Sequence, residues 1–204
     1  TLRIPENLKA VGSYSLNNPN LKSFTGSHIT EDGRCVIIED GFMPNYGDTQ
    51  TPVKNYLAAF APAGITEYTL PDNVEILGWY AFAWCPNLQS ITLSAALKAL
   101  SGNNAFLESR NLKTIHCRAL IPPSYGDYQM SEFPNLKFYV PEQSLALYQN
   151  HAGWAPFKNY FVGYNYTDLP EIDTYISSDY SNDGKVTTLQ TATKGNGINI
   201  VLMG

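Results

Sequence analysis

The chain has 204 residues and a net charge of −5, and only 15% of its residues are charged, whereas charged residues make up about 25% of an average soluble domain. Because phosphate groups are bound by clustered Lys and Arg, the lack of a basic run argues against nucleic acid and against an anionic membrane surface. The longest apolar runs, 56–63 and 198–203, are far shorter than the roughly 20 residues that cross a bilayer. We therefore expect neither nucleic-acid binding nor membrane insertion in this segment.

The dipeptide Asn-Leu recurs through the first two thirds of the chain. Its leucines stand at positions 21, 88, 112 and 136, so the last two steps each span 24 residues. The flanking residues repeat as well, because segment 68–74 can be laid over segment 2–8 without a gap. Self-similarity at a fixed short period is the signature of repeat architectures. The sequence therefore predicts stacked copies of one small unit.

Within one copy the hydrophobic period changes. Residues 88–93 end in strict alternation, with Ile91 and Leu93 on one face and Thr92 on the other, which is typical of a short strand. From 74 to 85 the apolar residues fall at helical or 3₁₀ spacing, which a strand does not produce. One copy is therefore predicted to be a strand, a turn at 71–73 and a short irregular helical return. Since such a unit cannot bury its own apolar edge, the copies must stack into a solenoid.

The long step from Leu21 to Leu88 predicts a β-hairpin insertion at about 24–66. Within it, an Asp-Gly pair at 32–33 precedes the apolar run 35–38, and this combination is a hairpin signal. Segment 43–53, rich in Pro, Gly, Asn and Asp, is predicted to be the loop, and 56–61 the returning strand. The loop is either a recognition element or a tolerated surface insertion.

The best-kept copy, 68–88, follows the pattern Leu-x-x-Ile-x-Leu-Pro-x-x-Val-x-x-Ile-Gly-x-x-Ala-Phe-x-x-Cys-x-x-Leu almost position by position. This pattern resembles the BspA-type leucine-rich repeat. Residues 88–111 keep it but replace Pro by Ser94 and Cys by Ser109, and copy 112–135 is degenerate. The resemblance covers residues 1–160 and implies an α+β repeat fold, a leucine-rich repeat solenoid of short parallel strands that ends in a cap helix at about 141–151.

The same resemblance implies where and how the protein acts. Proteins of this kind are bacterial and surface-exposed or secreted, so we expect an extracellular or cell-surface location. The expected function is protein binding or adhesion, with a host or other extracellular protein as the partner.

Residues 161–204 are predicted to be a linker and a small β segment. Segment 164–171 is polar, and two strand-like pieces follow at 185–193 and 198–203. Segment 178–204 is similar to the opening of IgA-cleaving zinc metallopeptidase domains that follow repeats in some surface proteins, although the His-Glu zinc motif is absent here. Since the chain begins at Thr1 without a leader and stops in an apolar strand, we expect a longer polypeptide with a further domain downstream.

No residue pattern of catalysis is found. The sequence lacks a Gly-x-Ser-x-Gly elbow, a phosphate loop and a dinucleotide fingerprint, and its three histidines lack metal-binding spacing. We therefore expect a non-enzymatic chain with no catalytic residue and no cofactor. The three cysteines, at 35, 85 and 117, have no Cys-x-x-Cys spacing and are predicted to be small core residues.

One segment resembles a cation site. Residues 179–190 fit most positions of a twelve-residue calcium loop, but Gln190 replaces the bidentate Glu at its end. The alternative is an Asp-Gly hairpin turn. If calcium binds, its donors are Asp179, Ser181 and Asp183.

The strand faces carry the main site prediction. Alternation places Leu70, Leu93, Cys117 and Val140 inward, so their outward neighbours must align across the strands. Such rows line the face on which solenoids usually bind partners, although Thr and Ser are also ordinary solvent-facing strand residues. A His, a Lys and a Tyr in these rows have the longer reach and the greater variety of hydrogen bonds. The predicted partner-binding residues are Glu67, Thr69, Ser90, Thr92, Thr114, His116, Lys137 and Tyr139.

Aromatic residues on the return offer an alternative contact. Trp79 and Tyr80 flank core positions and should be partly exposed, so they either stack on a sugar or protein or cover a neighbouring repeat. Trp154 is predicted to cap the end of the ribbon. The alternatives to protein binding are therefore a glycan-binding module and a non-catalytic spacer or substrate-positioning domain for a downstream metallopeptidase.

Overall fold

A computed structural model describes residues 1–12, 15–43, 51–100, 104–125, 133, 135–169, 172–173, 188–193 and 200–203. The chain divides into two compact units, Thr1–Tyr164 and Asn165–Gly204. Within the described ranges, none of the helices has both the length and the apolar character that crossing a membrane requires.

The first unit is built mainly from short strands. Its described helical segments are a 3₁₀ turn at Glu142–Ser144, the α-helix α1 at Leu145–Asn150 and a second 3₁₀ turn at Ala155–Tyr160. Its described strands are β1 (Leu2–Ile4), β2 (Phe24–Gly26), β3 (Cys35–Met43), β4 (Thr51–Phe60), β5 (Glu67–Thr69), β6 (Ile76–Leu77), β7 (Ser90–Leu93), β8 (Ala99–Leu100), β9 (Thr114–Cys117), β10 (Ser124–Tyr125), β11 (Lys137–Pro141) and β12 (Phe161–Tyr164).

One sheet of the solenoid, which we call the face sheet, has the strand order β12-β11-β9-β7-β5. All four pairings are parallel. The register aligns Ile91, Ile115, Phe138 and Phe161 in one buried column. Parallel strands are joined in this way when the chain returns to the same edge once per copy, so the predicted solenoid is confirmed.

The returns contain less helix than their apolar spacing indicates. A second sheet of order β10-β8-β6-β4-β3 runs through them, with β6 and β8 parallel to each other. The backbone groups are satisfied by the neighbouring copy, because the N–H groups of Lys98 and Ala99 both donate to the carbonyl of Glu75. The helix-like spacing arises because the chain turns repeatedly between 78 and 85, which brings apolar side chains inward at irregular intervals.

The core lies between these two sheets. The predicted inward residues Leu70, Leu93, Cys117 and Val140 are all buried. Aromatic rings connect successive copies, since Phe82 contacts Phe60 at 4.7 Å and Phe106 at 5.7 Å between ring centroids. Burying one such ring or a Leu stabilises the fold by about 1.5–3 kcal/mol, so the stacked copies supply the apolar area that one copy lacks.

The three cysteines are buried and unpaired, as predicted for small core residues. Burial raises the pKa of Cys35 and Cys85 to about 12 and that of Cys117 to about 11. Because the thiolate is the reactive form of cysteine, these thiols are inert at neutral pH.

The insertion contains a long antiparallel hairpin. Strands β3 and β4 pair from Cys35 and Phe60 outward, with a bulge between Val36 and Ile37, and β4 continues the return sheet by pairing with β6. The strands extend into both ends of the predicted loop 43–53, and residues 44–50 lie outside the described ranges. The Asp-Gly pair forms a separate turn, in which Gly33 has a φ of +70°.

The solenoid continues one strand beyond the predicted closing strand. Strand β12, which falls within the predicted linker region 161–204, pairs in parallel with β11. Trp154 packs beneath this strand, 5.8 Å from Phe161 and 5.4 Å from Phe138 between centroids. Its indole Nε1 donates to the carbonyl of Pro123 at 2.8 Å, so Trp154 is buried near the end of the ribbon.

The second unit contains a small antiparallel sheet. Its described strands are β13 (Ile172–Asp173), β14 (Thr188–Thr193) and β15 (Ile200–Met203), in the order β13-β14-β15. Strands β14 and β15 fall within the two strand-like pieces expected from the sequence. The candidate calcium donors Asp179, Ser181 and Asp183 lie outside the described residues.

Candidate interaction face

The register of the face sheet brings the eight predicted partner-binding residues together in two rows. Successive strands lie about 4.8 Å apart, so each row extends about 14 Å from β5 to β11. The first row consists of Thr69, Thr92, His116 and Tyr139. The second row consists of Glu67, Ser90, Thr114 and Lys137.

The middle of the face is shallow and polar. Ser90, Thr92 and Thr114 are half-buried, and the Thr114 hydroxyl donates to Ser90 Oγ across 2.8 Å. Side chains this short leave the neighbouring strands accessible to a flat partner. The longer side chains Glu67 and Lys137 are exposed at opposite ends of the second row.

Three aromatic rings, which we call the aromatic cluster, dominate one end of the face. His116 and Tyr139 stack with centroids 4.7 Å apart and planes within 13°. Tyr164 stands perpendicular to both, at 5.3 Å from His116 and 6.0 Å from Tyr139. Stacked and edge-to-face pairs each contribute about 0.5–1.5 kcal/mol beyond their buried area, so the cluster holds its rings in one arrangement.

Sequence reasoning missed the third member of this cluster. Tyr164 was assigned to a polar linker, yet it is 44% exposed on β12. The available signal was spacing, because Phe161 follows Phe138 by the same 23 residues that separate Phe138 from Ile115. A further copy strand could therefore have been predicted at 161–164.

The aromatic cluster is electrically neutral at physiological pH. Burial lowers the pKa of the His116 imidazole below its ordinary value of 6.5, because removing water disfavours the charged ring. A neutral imidazole has one donor and one acceptor nitrogen. The cluster therefore offers flat apolar rings together with hydrogen-bonding groups, while the nearby cation is the exposed Lys137.

A cleft of about 650 Å³ lies at the other end of the face, beside β5. It was not predicted, because its two walls are separated by about 40 residues in sequence and meet only when the insertion folds. Its described lining residues are His28, Ile29, Thr30, Glu31, Asp32, Ile37, Glu39, Tyr68, Thr69, Leu70, Pro71 and Asn73.

Asp32 is held in a fixed position at this cleft. Its carboxylate accepts hydrogen bonds from the Thr30 hydroxyl, the Arg34 backbone N–H and the Tyr68 hydroxyl. Burial by itself raises the pKa of Asp32, but these three hydrogen bonds outweigh it and leave the net pKa below its ordinary value. Asp32 is therefore ionised at neutral pH, while burial raises the pKa of Tyr68 and keeps its hydroxyl protonated.

The chain matches a known family model over the part that carries this face. The model is described as the BspA type leucine rich repeat region, and six copies match residues 54–152. Residues 54–152 are a BspA-type leucine-rich repeat region. The resemblance stated from the sequence is thus confirmed over these residues. No curated protein sequence matches the chain, and the resemblance to a metallopeptidase opening stays a prediction.

Two features of the BspA-type region bear on catalysis. Leucine-rich repeat regions are generally non-catalytic. Within the ranges that the structure describes, no three His, Cys, Asp or Glu side chains are grouped so that they could hold a metal ion.

The aromatic residues of the return lie apart from the face sheet, in the turns that follow β6. Trp79 and Tyr80 are half-buried. The Trp79 backbone N–H donates to the Tyr56 hydroxyl at 3.2 Å, and Asn17 Nδ2 donates to the Tyr80 carbonyl at 2.7 Å. The Tyr80 ring stacks on Trp84 with centroids 6.4 Å apart. This arrangement favours the covering of neighbouring copies over the stacking of sugars.

Proposed function

We propose that the chain is a protein-binding or adhesion module that acts outside the cell or at its surface, and that the face sheet is its binding surface. The match to BspA-type repeats supports the general class, because that family suggests surface protein interaction. The observation that carries the choice of surface is the aromatic cluster of His116, Tyr139 and Tyr164.

The energetic argument concerns rigidity. Protein interfaces draw most of their binding energy from a few residues, among which Tyr is enriched. A side chain that is already held in place loses little conformational entropy on binding. The rings of Tyr139 and His116 are held by their mutual stacking, so a partner that covers them removes apolar surface from water at small entropic cost.

The low charge of the chain agrees with this choice. With 15% charged residues, the face is better suited to hydrogen bonds and ring contacts than to long-range electrostatic attraction. The half-buried hydroxyl groups of Ser90, Thr92 and Thr114 adjoin the rings and provide donors and acceptors that short partner groups can reach. A protein with a flat or extended binding segment fits this surface.

The experiment measures binding of the full chain to immobilised, purified extracellular matrix proteins by biolayer interferometry. Tyr139→Ala and His116→Ala should each weaken binding by about tenfold or more, which corresponds to about 1.4 kcal/mol. Lys98→Ala is the matched control, because this lysine is exposed on the return. If Tyr139→Ala binds a captured matrix protein as tightly as the parent chain, the face sheet is not the binding surface.

A further inference from the structure

The cleft beside β5 is continuous with the face sheet. Thr69 belongs to both, because it begins the first row and also lines the cleft. Strand β5 is the last strand of the face sheet at this end, so a segment that crosses the strands along the first row arrives at the cleft. The inference below rests on the proposed function and specifies the chemistry of the partner.

The floor and the rim of the cleft differ in character. Ile37 and Leu70 form an apolar floor and are only 7% and 2% exposed. Glu31, Asp32 and Glu39 are exposed around it. A cavity of this kind fits a side chain with an apolar stem and a polar head, since Lys and Arg cover apolar surface with their methylene groups while the charge remains in contact with polar groups.

No described lining residue of the cleft is Lys or Arg. The nearest arginine in the sequence, Arg34, is directed elsewhere, because its Nη1 donates to the carbonyls of Ala61 and Ala63 at 3.0 and 3.1 Å. The ring of His28 is also engaged, since its Nε2 lies 2.9 Å from the Glu6 carbonyl oxygen. The negative charge of the rim is therefore not balanced by a basic side chain among these residues.

We propose that the cleft binds a basic side chain, and arginine in particular, of the protein that occupies the face sheet. The planar guanidinium has five donors and pairs with carboxylates through two parallel hydrogen bonds. Glu31 and Glu39 supply exposed carboxylates, and Asp32 adds a fixed ionised group. The methylene stem of the arginine lies on Ile37 and Leu70.

The geometry also sets a spacing in the partner. Thr69 and Tyr139 are three strand spacings apart, which is about 14 Å. An extended segment advances about 3.3 Å per residue. The basic residue is therefore about four positions from the residue that contacts the aromatic cluster, when the partner crosses the strands in an extended conformation.

The test uses two small probes and the full chain. N-acetyl-arginine methylamide is titrated into ¹⁵N-labelled protein, and chemical-shift changes are followed by NMR. N-acetyl-citrulline methylamide is the matched control, because it has nearly the same shape without the charge. The arginine probe should shift the amide signals of residues 29–32, 37–39 and 69–73, and the citrulline probe should bind at least about fivefold more weakly.

Substitutions on the rim complete the test. The double variant Glu31→Gln, Glu39→Gln should weaken arginine binding by about threefold or more, while Glu67→Gln, which lies on the face but does not line the cleft, should leave it unchanged. Equal binding of both probes, or shifts confined to other residues, would overturn the inference. Matrix-protein binding that is lost in Tyr139→Ala would still support the proposed function in that case, so the two failures are distinguishable.

Discussion

Replacement of Ser109 by Ala tests how neighbouring copies are joined. Ser109 is fully buried, and its hydroxyl makes two hydrogen bonds to the preceding copy. It accepts from the Cys85 backbone N–H at 3.0 Å and donates to the Phe82 carbonyl at 2.6 Å. In Ser109→Ala the Cys85 N–H loses this acceptor and the Phe82 carbonyl loses this donor, in a region that water does not reach.

The expected loss follows from these two contacts. A buried donor that is left without a partner costs about 1–3 kcal/mol, and a lost hydrogen bond to an already accessible acceptor costs about 0.5–1.5 kcal/mol. The Phe82 carbonyl has a second lone pair, so we place its share at the low end and expect a total of about 2–3 kcal/mol. With a urea slope of about 2 kcal/mol per molar, the unfolding midpoint should fall by about 1 M.

Tryptophan fluorescence during urea unfolding is a suitable assay, because all three tryptophans, at 79, 84 and 154, lie in the first unit. Ser90→Ala is the matched control. Its hydroxyl also contacts a neighbouring copy, at Thr114, but both groups are half-buried and can bond to water, so the free energy of unfolding should change by less than about 0.5 kcal/mol. Equal stabilities of Ser109→Ala and Ser90→Ala would refute the argument that buried side-chain hydrogen bonds join the copies.

Two further changes are expected to affect stability. Because burial lowers the pKa of His116 in the folded chain, the unfolded state binds more protons below pH 6.5; the free energy of unfolding should therefore decrease as the pH falls below 6.5 through the folded-state pKa, and this decrease should be smaller in His116→Asn. Urea titrations at several pH values measure it, and an equal decrease in both chains would contradict it. Gly78→Ala should cost more than about 2 kcal/mol in the same urea assay at neutral pH, because an added Cβ would lie 2.4 Å from the Leu57 carbonyl oxygen and 2.6 Å from the Tyr56 ring; a stability equal to that of the parent would show that the copies can separate locally without cost.

The strand register was predictable for a specific reason. Alternation such as Ile91-Thr92-Leu93 fixes which side chains face inward, and a shift of one residue would expose all of them. The repeat length then aligns equivalent positions, so the two rows on the face sheet follow from the sequence alone. Burial of Leu93 and of its counterparts confirms the inward set.

Other features depend on contacts that a linear pattern does not contain. Strands β6 and β8 have two residues each, which is too short for any period, and they form only because a neighbouring copy supplies partners. Tyr164 joins His116 through a strand that was assigned to a linker. The cleft requires the insertion to fold beside Pro71, and no local signal records that distance.

The side-by-side arrangement of copies has a mechanical consequence. Each copy contacts mainly its neighbours through pairs such as Ser109 with Phe82 and through the parallel strands β5 to β12. A pulling force on the ends of such an array acts first on the terminal copies, which can detach while the interior ones stay folded. One detached copy of about 24 residues releases up to about 80 Å of extended chain, whereas it occupied one strand spacing of about 4.8 Å in the solenoid. Under tension the array would therefore lengthen in discrete steps, and each step would dissipate the work of separating one pair of neighbouring copies.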